Sequence, residues 1–426
     1  MHNIFRQYKG LKKETYILFI GRIVTCMGSF VWPMLTFLLT TRLGISDAIA
    51  AALSATAVLV SLPASLIGGR LADKYSRKKI IIIFDFITVA LYFVAAALPI
   101  GYHTAAIIYI AGISQTLEGP AYDGLTADFS PIEERERAFS LLYLGINLGM
   151  VVGSAISGLL FKNYMWLGFV INAISILTST MLIWRFIFPE NAVGAQEDSG
   201  YVLGEYEKPV DKSIPILRVL KERRVIAYFI LIGCVSSMAT GVLGTILPLQ
   251  LNAGLGYDGA KIYGFLNSLN CATVIIFAPI FTALLVKIKE LPKCAIGMIL
   301  FVIGMVLFAQ GVNLWPLFIG MFIYTLGEVI SVLGHDPYNS KRIPESHRGR
   351  ISGVSGIIYT IFAALTQYLT SYILYATTSN YRLIWIIFSI VGVASAILYL
   401  AIYRLDKKTF PALFEQKKSE QHKWTE

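Results

Sequence analysis

The sequence predicts an all-α polytopic membrane protein, twelve transmembrane helices arranged as two bundles of six. Three observations carry that expectation. Of the 426 residues, 56% are hydrophobic and only 15% charged, against roughly 45–50% and 25% in soluble globular domains. The apolar residues gather into twelve runs, each near the ~20 residues a helix needs to cross a bilayer. And 31 of the 36 Lys and Arg fall on one side of those runs, with four on the other and Arg22 inside the first.

In order, the runs cover roughly residues 15–40, 48–69, 80–100, 105–128, 138–161, 165–188, 225–251, 261–286, 294–310, 316–335, 351–375 and 382–403. The first is too long for a signal-peptide core and no small-residue cleavage site follows it, so it reads as a span. No run shows the ten-residue alternation of a membrane barrel strand. Disorder is excluded by the hydrophobicity. The four Cys (Cys26, Cys234, Cys271, Cys294) lie in or beside apolar runs and read as small hydrophobes rather than a disulfide framework. An even number of spans puts both termini on one side, and the Lys/Arg bias makes that side the cytoplasm. The same bias accounts for the net charge of +10 and pI of about 9.2 without a nucleic-acid partner.

Residues 1–188 are expected to form the first bundle and 225–426 the second bundle with a cytoplasmic tail. Between them, 189–224 reads as a cytoplasmic linker whose end, Ser213–Arg224, is basic and amphipathic and suits a helix at the membrane interface. The halves carry an internal echo. Pro131, Arg135 and Arg137 open the fifth span, and Pro344, Arg348 and Arg350 open the eleventh at a constant offset of 213 residues. Pro33 and Pro248 stand in a similar relation in the first and seventh spans. Two six-span repeats with a midplane site at their interface is a transporter architecture.

Between the second and third spans lie Gly68, Gly69, Arg70, Leu71, Ala72, Asp73, Lys74, Tyr75, Ser76, Arg77, Lys78 and Lys79. This stretch resembles the signature loop of the major facilitator superfamily, roughly G-x-L-A-D-[RK]-x-G-[RK]-[RK], with Gly69, Leu71, Ala72, Asp73, Lys74, Arg77 and Lys78 matching and Ser76 replacing the second glycine. The resemblance implies a conformational gate built from Gly69, Asp73, Lys74, Arg77, Lys78 and Asp128. In it Gly69 permits close helix approach, Asp73 accepts from helix-start amides, and Asp128 ends the fourth span beside Arg77. In the fifth span, Gly149, Gly153 and Gly158 are similar to the superfamily's antiporter motif, with Ser154 where Pro and Ser157 where Gly are usual. These three are expected to pack helices. In the fourth span Gln115 stands where the superfamily often has Arg before a glycine, here Gly119.

Ionisable groups inside spans cost about 2.5–3.5 kcal/mol on insertion scales and mark functional candidates. At ~1.5 Å per residue, Arg22 lies roughly 10 Å from the cytoplasmic end of its span. Glu118 lies roughly 15 Å deep and Glu328 near the midplane. In the superfamily fold, spans one, four, seven and ten line the central cavity, so the resemblance gathers Arg22, Glu118 and Glu328 around one water-filled space. There a carboxyl group can hold a proton when desolvated and lose it when paired with Arg22. Asp85 and Asp123 are expected nearer the cytoplasmic face, in a solvated or gate-pairing role. Trp32, Gln115, Asn147, Asn267, Asn270 and Tyr324 are candidates for the substrate cavity, as polar and aromatic residues that punctuate the spans. His335 and Asp336 lack a further ligand nearby, so no metal is expected.

The leading expectation is a secondary transporter of the cell membrane, a monomer that exports small amphipathic or drug-like solutes in exchange for protons among membrane lipids. It needs no cofactor, and no nucleotide-binding loop is present. Import of a small solute or metabolite is the alternative within transport. A polytopic membrane enzyme would need converging catalytic groups on the loops, and no His/Asp cluster or Ser/His pairing is seen there.

Overall fold

The computed structural model describes residues 8–188 and 214–415, and these are helical with short turns. The expected linker before Ile214 lies outside the described residues, as do the terminal tails. Ten helical stretches are long and apolar enough to cross a membrane. The other two expected spans are the first, which is broken, and the fourth, α5 (Tyr102–Asp128), whose Gln115, Glu118 and Asp123 dilute its apolar character.

The first span is α1 (Lys13–Met27), then α2 (Val31–Phe37), running into a π-helical turn at Leu38–Arg42. The reason for the break is local. Pro33 has no amide to give back to the Ser29 carbonyl, and Ser157 Oγ donates to that carbonyl instead, at 3.3 Å. Gly28 leaves no room for a side chain, since a Cβ there would sit 2.4 Å from that of Ser175. The remaining helices of the first half are α3 (Asp47–Lys74), α4 (Arg77–Ala97), α6 (Ile132–Leu160) and α7 (Met165–Phe186).

The expected interfacial helix is the seven-residue α8 (Ile216–Glu222). Its Val219 is buried with Val225, Ile226, Ile343 and Ile351, so it is tied to the second bundle, while Leu217 points away and is 80% exposed. The seventh span repeats the break of the first, as α9 (Arg224–Thr240) and α10 (Leu243–Leu255), with Pro248 inside the latter. The second half continues with α11 (Tyr257–Leu284), α12 (Glu290–Phe308), α13 (Leu314–Arg342), α14 (Glu345–Ala376), α15 (Tyr381–Thr409) and the short α16 (Ala412–Glu415).

The halves meet chiefly along α6 with α11 and α3 with α14. Hydrogen bonds between them gather from mid-span towards the end away from the basic loops. Asn267 Nδ2 donates to Ser154 Oγ at 3.3 Å and Ser268 Oγ to the Val151 carbonyl at 2.7 Å. Further out, Thr41 pairs with Asn252, Ser371 Oγ donates to the Ala48 carbonyl at 2.7 Å, and the Asp47 carboxylate accepts from Tyr381 Oη and Ser379 Oγ. Thr378 and Ser379, beside this last contact, hold φ of 51° and 64°. That left-handed backbone costs non-glycine residues of order 1–3 kcal/mol each and persists where its surroundings demand it. One apolar core threads both halves, with Phe30, Phe37, Phe161, Phe308 and Trp385 buried in it towards this end and Phe229, stacked on Tyr338, towards the basic end.

Candidate functional site

A charged group lies inside the first bundle, on the inward faces of α1, α4 and α5. The Arg22 guanidinium stacks 3.5 Å from the centre of the Tyr122 ring, a contact worth roughly 0.5–2 kcal/mol. Tyr122 is fixed by donating its hydroxyl to the Leu18 carbonyl at 2.8 Å, and Glu118, one helical turn before it, is 7% exposed. Arg22 is within electrostatic reach of Glu118 and Asp123. Asp85, which accepts from Thr180 Oγ1 at 2.6 Å, reaches both Arg22 and Glu118. Three carboxyl groups thus lie within electrostatic reach of one cation, none of them at ion-pair distance among the described residues. At eight residues into α4, about 12 Å at the helical rise, Asp85 is nearer the cytoplasmic face than Glu118, as expected, but the solvated or gate-pairing role is corrected: it bonds Thr180 and lies within reach of Arg22. Asp123 is on the same group's exposed side.

Glu328 stands apart, in the second bundle. Its carboxylate accepts from Asn270 Nδ2 at 2.9 Å, and the same amide reaches Thr325 Oγ1 at 2.9 Å. Tyr143 of the first half is within its electrostatic reach, but neither an ion pair nor a hydrogen bond joins Glu328 to Arg22 among the described residues. So Arg22 and Glu118 lie in one bundle within electrostatic reach of each other, without an ion pair or hydrogen bond between them among the described residues, and Glu328 stands with Asn270.

Of the six residues expected in a substrate cavity, Trp32 lines one. It is a space of about 530 Å³ between the halves, walled by α2, α3, α5, α10 and α14, with Thr36, Ser61, Tyr109, Thr245 and Gln367 also at its edge. Tyr324 is a correction. It is buried inside the second bundle, its ring edge-on to Phe301 at 4.4 Å and its hydroxyl donating to the Thr240 carbonyl, because the face of α13 that carries it packs on α12. Asn147 donates to the Tyr143 carbonyl of its own helix, Asn267 ties the halves together, and Gln115 is half-buried on α5.

At the basic end, Arg77 pairs with Asp128 and donates to the Gly124 carbonyl at 2.9 Å. Lys78 donates to the Trp184 and Ile187 carbonyls at the end of α7, where a cation suits the helix dipole. Lys74 and Asp73 are exposed, and Asp73 faces a hollow shared with Arg77, Lys78 and Asp128. The second half holds a counterpart that the sequence reading did not single out. Glu290 begins α12 as Arg77 begins α4, and it pairs with Lys341 at 2.7 Å. Both residues stand 213 positions after Arg77 and Asp128, the offset of the repeat, with the charges exchanged. Behind them Arg342 is buried, bonded twice to Asp406 at 2.7 Å and to Glu290 at 3.2 Å.

A sequence model of the Major Facilitator Superfamily matches residues 18–366 and 294–426. The chain belongs to the Major Facilitator Superfamily. It is similar to a Na(+), Li(+), K(+)/H(+) antiporter of Planococcus maritimus, 23% identical over 410 residues and covering 89% of this chain and 93% of that protein. It is also similar to multidrug resistance protein MdtH of Edwardsiella ictaluri (strain 93-146), 24% identical over 250 residues and 58% of each chain. A POT family transporter solved with 5-aminolevulinic acid shares the fold, with a TM-score of 0.73, 14% identity, and coverage of 93% of this chain and 97% of that one.

As a Major Facilitator Superfamily member the chain is a multi-pass membrane protein and a secondary transporter. Within its signature loop, the close approach expected of Gly69 is made by Gly68. A Cβ on Gly68 would stand 2.4 Å from the Leu117 carbonyl oxygen, while one on Gly69 would meet open space. Asp73 makes no hydrogen bond among the described residues, and the expected cap on α4 is missing there. The three antiporter-motif glycines each abut a backbone. Gly149 and Gly153 face α1 at Ile23 and Cys26, and Gly158 faces Ala260 of α11, at 2.3–2.7 Å from a would-be Cβ.

Proposed function

We propose that this superfamily member exports small amphipathic or drug-like solutes in exchange for protons, by alternating access of two six-helix bundles, residues 1–188 and 225–426. The linker 189–224 and both termini lie in the cytoplasm of a plasma-membrane protein on this reading, so the described state opens to the cytoplasm and is pinned on the outer side. The observation that carries it is a cavity between halves latched at one end, together with a half-buried cation in the first bundle within electrostatic reach of three carboxyl groups. When Glu118 takes up a proton, its hold on Arg22 is lost and the guanidinium is left to Asp85 and Asp123. When it releases the proton, that hold is restored. A ligand or proton that binds one state better shifts the equilibrium between states by that difference. Glu328 is the second candidate carrier, in the half that moves against the first.

The test uses everted vesicles with an imposed proton gradient and the uncharged fluorescent amphiphile N-phenyl-1-naphthylamine. Wild type should accumulate the dye, and a protonophore should abolish accumulation. Glu118→Gln, Glu328→Gln or both should lose uphill accumulation while keeping gradient-independent exchange. Wild-type uphill rates in both variants would mean that coupling lies elsewhere. A second reading, exchange of an alkali-metal cation for protons, is favoured by the surplus of acid around Arg22 and by the similarity to the Planococcus maritimus antiporter over nearly the whole chain. Adding NaCl or KCl to acid-loaded vesicles and following acridine-orange dequenching reads it out.

A further inference from the structure

The cavity between the halves is separate from the charged group, and its chemistry is different. The residues that line it include serines, threonines, a tryptophan, a tyrosine and a glutamine among apolar side chains, and no Asp, Glu, Lys, Arg or His. Two of its lining residues each carry a buried polar atom without a hydrogen-bond partner among the described residues, Tyr109 Oη and Gln367 Oε1. They come from opposite halves, α5 and α14. A buried polar atom left unpaired is costly, so native structures rarely keep one without a reason.

The third feature is Trp32. It is 41% exposed although its neighbours Val31 and Met34 are buried, and its ring occupies the space where a Cβ of residue 112 would stand, 2.1 Å from the nearest ring carbon. The glycine at 112 therefore sets where the indole lies, and the ring presents its free surface to the cavity. Beside it the halves are joined by the hydroxyls of Thr56 and Tyr368 at 3.0 Å.

Taking this cavity as the place a superfamily solute occupies, we propose that its solute is uncharged, carries an aromatic ring and has an amide-like donor and acceptor. The assignment rests on the transporter reading above and narrows its substrate. The ring lies on Trp32, the acceptor takes the Tyr109 hydroxyl proton, and the donor gives to Gln367 Oε1. A carboxylate would lose its water with no cationic side chain in the wall to replace it. A cation would lose its water with no carboxylate in the wall to replace it. The volume falls within the roughly 300–1,000 Å³ typical of sites for drug-sized ligands.

The experiment is equilibrium dialysis of the full-length protein in nanodiscs, without any gradient, against three probes of one shape. These are benzanilide, its 4-carboxylate and its 4-trimethylammonium derivative, each corrected for uptake by protein-free nanodiscs. Benzanilide should bind saturably, and both charged analogues at least roughly tenfold more weakly. Tyr109→Phe and Gln367→Leu should each weaken benzanilide roughly three- to tenfold while eluting as wild type on size exclusion. Trp32→Leu should weaken it at least as much. A charged analogue that binds as tightly as benzanilide overturns the assignment. So does the absence of saturable binding, or wild-type affinity in the two conservative variants. Because no gradient is applied, intact binding with failed proton coupling would sink the exchange mechanism alone, and normal coupling without binding would sink this site alone.

Discussion

Arg342 and Asp406 show what a charge inside a bundle demands of its neighbours. Both are buried, at 1% and 0% exposure, and their two parallel hydrogen bonds are joined by bonds to Glu290 and from Tyr338 Oη, leaving Arg342 Nη1 without a partner among the described residues. Removing one partner strands the other, at roughly 3–5 kcal/mol, whereas replacing both with apolar residues is often neutral. Arg342→Met should therefore lower the melting temperature sharply in detergent, and adding Asp406→Leu should recover most of the loss. A double variant no more stable than the single would mean that the pair does more than satisfy itself. Glu118 was legible in the sequence because a mid-span acid is rare and expensive. The depth of Asp85 is legible too, but its turn towards Thr180 and Arg22 is not, since counting from a span end gives depth and not which way a side chain turns. Tyr324 and Trp32 were indistinguishable as letters. Only packing sends one into the second bundle and leaves the other facing the cavity, and the signal for Trp32 was Gly112 on another helix.

At the level of helices, lipid imposes the run length, so the spans were readable to within a few residues. The breaks in the first and seventh spans were not, because a proline inside a membrane helix can be absorbed by a kink or by neighbouring donors. Here Ser157 supplies the donor at one of them. The repeat offset foretold the helix starts at Pro131 and Pro344, and it also relates the Arg77–Asp128 pair to the Glu290–Lys341 pair with charges exchanged. If the helix ends ask only for opposite charges, Arg77→Glu alone should destabilise the first bundle and Arg77→Glu with Asp128→Lys should restore much of it. Recovery should be incomplete, since Glu cannot donate to the Gly124 carbonyl as Arg77 does. Melting curves of the three proteins decide the matter, and a double variant worse than the single would refute the equivalence. With the Arg77 side chain 31% exposed, each effect should be about 1 kcal/mol or less.

Over the whole molecule, the loop charges fixed the expected orientation, while the state in which the bundles rest could not be read from sequence. It depends on contacts between residues some three hundred positions apart, such as Asp47 with Tyr381. Weakening that latch should move the population. Asp47→Ala with Tyr381→Phe, carrying spin labels at Tyr75→Cys and Val354→Cys on a background without the four native Cys, should raise the fraction with a short basic-end distance about tenfold, the equivalent of about 1.4 kcal/mol. An unchanged distance distribution would show that the latch does not hold the state. The broken first and seventh spans carry a consequence of another kind. Phe30, Met34, Phe37 and Leu38 are at most 2% exposed, and Ile246, Leu247, Leu249 and Leu251 are fully buried. Yet α2 with the π turn that continues it spans only residues 31–42, a length at which helices lean on packed neighbours. Its outer-end residues are covered by the second half only while that end stays shut. Deuterium uptake at residues 30–42 and 243–255 is thus a clock for outer opening, slow in the wild type and faster in the latch variant in proportion to the population it releases.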